Sequence, residues 1–219
     1  MRALYGYYRS SAAYRVRIAL ALKGLEYDNR SVNLLPGVSE QKSDEYRALN
    51  PQGRVPFLID GDVRLSQSPA ILEYLDEAYT DVPLLPRSTN ERAYVRQLAS
   101  IVACDIHPLN NLSVLTWTKT ELGADEAASK KWYHHWIVEG FKAFEALLRE
   151  NVHTGEFCFG DAPGLADVYL VPQLYNARRF NVPLDGFPTI VGIDSACNGL
   201  QAFKDALPEN QPDAPGASS

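Results

Sequence analysis

Two adjacent hydroxyls, Ser10 and Ser11, stand where a short β-leaning run, Ala3 to Tyr7, gives way to the helical segment AYRVRIALALKG. At such a junction the free N–H groups of a first helical turn and the positive end of the helix converge. A thiolate or another anion would be stabilised there, and either serine could add one hydrogen bond; the plain alternative is a serine N-cap with no ligand. A second candidate is Arg54-Val55-Pro56. The residue before proline is held extended, and a cis bond would leave the Val55 N–H and C=O for an extended peptide ligand. An ordinary trans proline would simply open a strand. The third candidate is Gln67-Ser68-Pro69, a helix start able to take a carboxylate through the Ser68 hydroxyl and the N–H groups behind it. Each signal alone is common. Their succession within the first 70 residues is the informative part.

The elements that must position these residues follow from periodicity. Val16, Ala19 and Leu20 recur at helical spacing, and Gly24 suits the residue just past a helix end. Tyr27 to Leu34 reads as a second strand and Ser39 to Leu49 as helical, with a turn at Asn50-Pro51-Gln52-Gly53. VPFLI, the pair Asp60-Gly61 and DVRL make a hairpin. Ser68-Pro69 opens a helix with the apolar stripe Ile71, Leu72, Leu75 and Ala78. The order is βαβαββα over residues 1–80, an α/β layer. A proline-containing linker (81–90) leads to an all-helical region (91–207), with long segments near 91–120 and 125–150 and shorter ones near 165–179, 188–197 and 199–207. The polar, proline-containing tail 208–219 is expected to be disordered.

Composition bounds the function. With 46% hydrophobic and 22% charged residues the chain is globular. Twenty-seven acidic against 21 basic residues, net −6, argues against a general nucleic-acid or anionic-membrane binder, though a local basic pocket is compatible. Cys104, Cys158 and Cys197 are odd in number and far apart, so neither a disulfide framework nor a metal site is expected. The first residues carry no apolar leader run, and IALAL (18–22) is far too short to span a bilayer. A cytoplasmic location is expected.

SSAAYRVRIAL, the run Leu49-Asn50-Pro51-Gln52-Gly53-Arg54-Val55-Pro56, and Gln67-Ser68 followed by Glu73-Tyr74-Leu75 resemble the cytosolic glutathione transferases, and among them the zeta class. IHPLNNLSVL (106–115), LADVYLVPQ (165–173) and ARRF (177–180) extend the resemblance over nearly the whole chain. It implies a thioredoxin-like glutathione domain, an all-α domain, a cis Val55-Pro56 bond and a homodimer. Carried over by motif, Ser10 and Ser11 would lie at the glutathione sulfur, with Arg15 in the same motif. Gln41 would meet the glycine end, Val55 the cysteinyl backbone, and Gln67 and Ser68 the γ-glutamyl carboxylate. His107, Asn111 and Ser113 would complete the pocket; Arg9, Arg178 and Arg179 are candidates for the carboxylates of a diacid substrate, and Arg9 and Arg179 for its enolate. The chain departs from the class at Ala12, which replaces a cysteine and excludes any mechanism using that thiol. Tyr14 replaces a tryptophan, Gly53-Arg54 a Lys-Gln pair, His107 a glutamine, and Gly164 a Thr or Ser ahead of Asp167.

The activity this implies is glutathione-dependent cis–trans isomerisation of a maleyl diacid, with maleylacetoacetate first and maleylpyruvate second. The maleylpyruvate branch carries an arginine just after the Asn-Asn pair, where this chain has Leu112 and Ser113. General conjugation or dehalogenation of small electrophiles is a third reading, and an inactive binding module a fourth. Of the two serines, Ser10 is assigned to the sulfur and Ser11 to the cap. His134 and His135 read as surface or packing residues, Trp117, Trp132 and Trp136 as core or interdomain residues, Asp167 as a structural cap, and Cys104 and Cys197 as small buried apolar groups.

Overall fold

The computed structural model describes residues 1–216, which form two compact units: Met1–Leu84 with the chain from Asn198 onward, and Leu85–Cys197. The first unit begins β1 (Arg2–Gly6), α1 (Ser11–Leu22), β2 (Asp28–Ser31), a 3-10 turn (Glu40–Lys42), α2 (Asp44–Leu49), β3 (Phe57–Asp60), β4 (Val63–Ser66) and α3 (Ser68–Ala78). The sheet runs β2-β1-β3-β4, with β1 and β2 parallel and the other pairs antiparallel. Tyr5 pairs with Phe57 and Phe57 with Ser66. That register brings the end of β1, the start of β3 and the end of β4 to one edge, so the three candidate motifs that follow or precede those points share it.

The fully buried Ala13, Tyr14, Val16, Ile18, Ala19 and Leu20 show why α1 is apolar almost all round. It ends as expected: Gly24 has φ +64, and the Gly24 and Leu25 N–H groups donate to Ala21 and Leu20. The Ser39–Leu49 segment is not one helix but a 3-10 turn followed by α2, because Ser43 caps a new start at Tyr46 N–H. The hairpin register also differs by one residue. Asp60 pairs with Val63, so the turn is Gly61-Asp62, with positive φ at Gly61 alone, the arrangement a Gly-first two-residue turn favours.

The second unit is helical: α4 (Thr89–Ser100), a π-helical segment (Ile101–Ile106), α5 (His107–Asn110), α6 (Leu112–Leu122), α7 (Glu126–Glu150), α8 (Leu165–Arg179) and α9 (Pro188–Gly199). The expected 91–120 helix is therefore interrupted. Thr89–Leu122 is long and apolar enough to cross a membrane by length and composition, but Asn111 is extended and breaks it. Any side chain at Gly140 would collide with Ile106, so this glycine lets the π segment lie on α7. Core helix α8 is buried from Leu165 through Leu174. Glu145 on α7 accepts from the Thr189 and Ile190 N–H groups (3.0 and 2.9 Å) and so caps α9. Trp117, expected to be a core or interdomain residue, is 55% exposed on α6; Thr118 is the residue that helix buries.

The chain then returns to the first unit. Helix α10 (Gln201–Ala206) packs on α1, so residues 198–207 belong with the sheet rather than with the helical region. The expected disorder of 208–219 is corrected over its described part. Pro208–Asn210 forms a 3-10 turn, and Pro208, Gln211 and Ala214 are buried. The Gln211 amide donates to the Asp205 and Leu207 carbonyls, and Asp213 accepts from the Tyr8 N–H. Specific contacts override composition here; 217–219 lie outside the described residues.

Candidate functional site

The sulfur-site candidate is the β1–α1 junction. A turn closed by Ser10 N–H to Tyr7 C=O (2.9 Å) hands the chain to α1, whose first helical bond runs from Tyr14 N–H to Ser10 C=O. Ser10 has extended φ and ψ, and its Oγ accepts from Ala13 N–H (3.2 Å). Ser10 is thus the cap, and Ser11 is the buried first residue of the helix. This corrects the expected division of labour. A capping hydroxyl still has its own proton, so Ser10 can cap the helix and donate to a sulfur at once. The first turn of α1 carries no acidic side chain, which leaves the positive helix end uncompensated. Arg9 sits in the same turn, its guanidinium 5.0 Å from the Tyr8 ring centroid and 5.9 Å from that of Tyr7.

The second piece is the Arg54–Val55 peptide. The Arg54 carbonyl accepts from both Tyr46 OH and Asn50 Nδ2, each at 2.7 Å. A planar peptide with its C=O anchored on one side directs its N–H to the other. Among the described residues no hydrogen bond uses the Val55 N–H or C=O. The Val55-Pro56 bond is cis. Val55 packs on the Val32, Tyr46 and Phe57 cluster. Burial pushes the Tyr46 phenol up to about 12, so it stays a donor at any physiological pH.

The third piece is the start of α3. Gln67 takes φ 71, a conformation that costs a non-glycine residue about 1–3 kcal/mol and tends to persist at ligand clamps. Its Nε2 donates to Gln52 Oε1 (2.6 Å), which ties the α3 start to the loop before β3. Ser68 is 3% exposed, and Arg15 Nη1 donates to its Oγ (3.3 Å). Arg15 lies one turn beyond Ser11 on the same face of α1, so this bond joins the first and third pieces. Gln41 is buried, and its Oε1 has no partner among the described residues. At Gly53 a Cβ would meet the Gln41 carbonyl at 2.8 Å, so this positive-φ glycine lets the Gln41 turn close on the Val55 loop. Ser10, Ser11, Arg15, Gln41, Val55, Gln67 and Ser68 all belong to the first unit.

His107, Asn111, Ser113 and Arg179 belong to the second unit. Asn111 caps α6: its Oδ1 accepts from Val114 N–H (3.1 Å) and Ser113 OH (2.6 Å), and its Nδ2 donates to the Pro108 carbonyl (2.7 Å). Its side chain is committed to the α5–α6 junction, which carries His107 and Ser113. The two adjacent arginines differ. Arg178 pairs with the buried Asp194 (2.6 Å), whereas exposed Arg179 lies over the Phe180 ring and has no carboxylate partner among the described residues. Its charge pulls down the Tyr133 phenol, which burial pushes up more strongly.

Asp167 is a cap, as expected, with Oδ2 accepting from Gly164 N–H (2.8 Å) and Oδ1 from Cys158 N–H (2.9 Å). Cys158 and Cys197 are buried, and burial pushes both thiols up; Cys104, expected to be buried, is exposed on the π segment. Sequence reasoning missed Tyr46 and Asn50, the two donors that aim Val55. The asparagine ahead of Pro51 was their only visible signal.

A mixed four-stranded sheet with a cis-proline loop, two uncompensated helix starts at one edge and an attached helical region defines a thioredoxin-like ligand-binding enzyme fold. The chain belongs to the glutathione S-transferase family: residues 4–83 match its N-terminal domain and 130–205 its C-terminal domain. Within the family it falls with the zeta class. It is 50% identical to the maleylacetoacetate isomerase of Pseudomonas aeruginosa, over 98% of this chain and 99% of that one. It superposes with a TM-score of 0.94, at 48% identity, on the holo structure of a maleyl pyruvate isomerase described as a bacterial zeta-class enzyme, covering 97% and 100% of the two chains. The maleylacetoacetate isomerase of Methylobacterium extorquens AM1, solved with malonate and glutathione, matches with a TM-score of 0.93 at 40% identity, over 98% and 100%.

Proposed function

We propose that the protein is a glutathione-dependent cis–trans isomerase of a maleyl diacid, converting maleylacetoacetate to fumarylacetoacetate. The observation that carries the reading is the edge of the first unit, where the Ser10 cap, the Val55 N–H and the Ser68 helix start stand ready for a thiol peptide. The donor set fits glutathione: a helix end with serine hydroxyls for the sulfur, an extended backbone for the cysteinyl unit, a second helix end for a carboxylate, and the buried Gln41 amide. When bound, glutathione supplies the thiolate whose addition to the cis double bond, and later departure, lets the carbon chain turn.

The residues of this chain hold that thiolate and the charge that develops on the diacid. Lowering a thiol pKa near 8.5 by two units takes about 2.7 kcal/mol, within reach of a hydroxyl donor and an uncompensated helix end together. Ser10 donates to the sulfur while it caps α1, and Ser11 adds the first N–H of the helix. Arg9 and Arg179 bind the carboxylates or the enolate. The family resemblance assigns His107 and Ser113 of the second unit to ligand contacts, with Ser113 bonded to Asn111. No chain thiol stands at the motif position, which Ala12 occupies, and Cys158 and Cys197 are buried. We also place the protein in the cytoplasm as a homodimer, as the family resemblance supports; size-exclusion chromatography with light scattering checks the dimer.

The deciding assay follows maleylacetoacetate absorbance with and without glutathione. A rate that appears only with glutathione is expected, and its absence overturns the assignment. Maleylpyruvate is the second substrate reading, favoured by the 48% identity to the maleyl pyruvate isomerase. Leu112 and Ser113, where that branch has an arginine, weigh against it. A kcat/KM for maleylpyruvate above that for maleylacetoacetate would reverse the order. Rapid conjugation or dehalogenation of small electrophiles, with neither diacid isomerised, would point to a general transferase.

A further inference from the structure

The second residue of the sulfur-site turn, Tyr8, is held from far away in sequence. The Tyr8 N–H donates to Asp213 Oδ2 (2.9 Å), and the same oxygen accepts from Ser31 OH on β2 (3.2 Å). The Tyr8 carbonyl accepts from Arg17 Nη2 (3.0 Å), and Arg17 Nε donates to the Ala206 carbonyl (3.1 Å) at the end of α10. Arg17 is 3% exposed. Both backbone polar groups of Tyr8 are therefore gripped by, or through, the segment 206–213. Tyr8 is the second residue of the turn that Ser10 N–H closes on Tyr7 C=O. The orientation of a four-residue turn is set by its peptide planes, so the grip on Tyr8 fixes where Ser10 Oγ and the Arg9 side chain stand. The strap is itself anchored, by the buried Gln211 and Ala214 on either side of Asp213.

We propose that Asp213 is a positioning residue for the reaction: through the Tyr8 N–H it holds the β1–α1 turn so that the Ser10 hydroxyl meets the glutathione sulfur. This rests on the reading of Ser10 as the sulfur ligand. The chemistry explains the residue type. A carboxylate oxygen accepts two hydrogen bonds at once, here from an N–H and a hydroxyl, and charge-assisted bonds of this kind are the stronger ones. Loss of Asp213 frees the turn without touching the ligand-contacting side chains. It therefore lowers kcat while leaving glutathione binding, carried by Val55, Gln67 and Ser68, nearly as it was.

The test uses the full chain and two variants, Asp213→Ala and Asp213→Asn, with three readouts. These are hydrogen exchange at the Tyr8 amide, kcat and KM for glutathione, and the ultraviolet thiolate absorbance of bound glutathione against pH. For Asp213→Ala we expect Tyr8 exchange to rise and kcat to fall roughly tenfold. The thiolate midpoint should move up while KM stays within about twofold. Asp213→Asn keeps an acceptor oxygen and should recover most of both effects. An unchanged Tyr8 amide in Asp213→Ala overturns the grip. Faster exchange with unchanged kcat and unchanged thiolate makes the grip structural only and overturns the positioning role. No depressed thiolate in the parent protein, with the Tyr8 amide still responsive, overturns the sulfur-site reading and the catalytic role with it, so the two failures are told apart.

Discussion

The two helix starts at the candidate site differ from three in the second unit. The first turns of α1 and α3 hold no acidic side chain, whereas α4, α7 and α8 begin with Glu91, Glu126 and Asp167. The start of α8 is sealed from within, since both Asp167 oxygens take backbone N–H groups in a fully buried setting. The start of α1 has the Ser10 hydroxyl on one N–H group and no acidic side chain in its first turn. The same four orphan N–H groups and the same dipole serve stability in one place and are left for an anion in the other. Acid content thus separates the sealed start of α8 from the open start of α1.

The largest effect should come from making the open end resemble the sealed one. Aspartate caps as well as serine does, and its charge favours a helix N-terminus by about 0.3–1 kcal/mol. Ser10→Asp should therefore keep or raise the melting temperature. A carboxylate about 4 Å from a thiolate, at an effective dielectric near 20, costs about 4 kcal/mol. Bound thiolate should disappear and kcat fall more than hundredfold. Full activity in a stable Ser10→Asp protein would break the comparison. The reverse change is next in size. Asp167→Ala leaves the Cys158 and Gly164 N–H groups without their acceptor, a loss of about 3 kcal/mol in urea unfolding. A loss below about 1 kcal/mol would mean that the buried end needs no acid.

Arg178 and Arg179 carry the comparison inside the second unit. Arg178→Ala removes the guanidinium facing the buried Asp194 and should cost about 2 kcal/mol, less than a fully buried pair because Arg178 is half in solvent. Arg179→Ala should leave unfolding within about 0.5 kcal/mol and lower kcat/KM for the diacid roughly tenfold. Exchanged phenotypes would mean that the exposed cation is not the substrate's.

The order of elements, the helix stripes apart from the exposed Ala78 of α3, Gly24 and the pairing of Asp167 with the α8 start were legible, because each rests on local spacing. What escaped was decided by single residues meeting across the fold. Ser10 and Ser11 are adjacent hydroxyls, and the Tyr7–Ser10 turn, not their types, makes the first one the cap. The tail reads as polar and proline-rich, yet Gln211, Asp213 and Ala214 each find a place that no periodicity encodes. A one-residue shift turned Asp60-Gly61 into Gly61-Asp62. Cys104 is exposed because it lies on the side of its helix opposite the buried Val95, Leu98 and Val102, so its place on the helix outweighed the burial its residue type suggests. Tyr46 and Asn50 were missed because their function is to hold a carbonyl, and neither touches a ligand in the reading proposed for the site.

That pair gives the smallest effect and the finest test of how Val55 is aimed. Tyr46→Phe removes one of the two donors to the Arg54 carbonyl and leaves Asn50 in place. The cost at neutral pH should be about 1 kcal/mol. The KM for glutathione should rise two- to threefold at most, on the order of half a kcal/mol, because Asn50 still anchors the peptide. The pH dependence carries its own sign. Burial raises the folded Tyr46 pKa from 10.0 to about 12, so the folded state keeps a proton that the unfolded chain releases first. Its contribution to stability is whole below pH 10 and is lost as the pH rises from 10 to about 12. The parent protein should therefore lose stability over that window more steeply than Tyr46→Phe, which has no phenol to titrate at this position. Parallel slopes in urea midpoints at neutral pH and at about pH 11 would show that the Tyr46 hydroxyl is as free to ionise in the folded protein as in the unfolded chain, and its bond to Arg54 would then not be what holds the Val55 N–H outward.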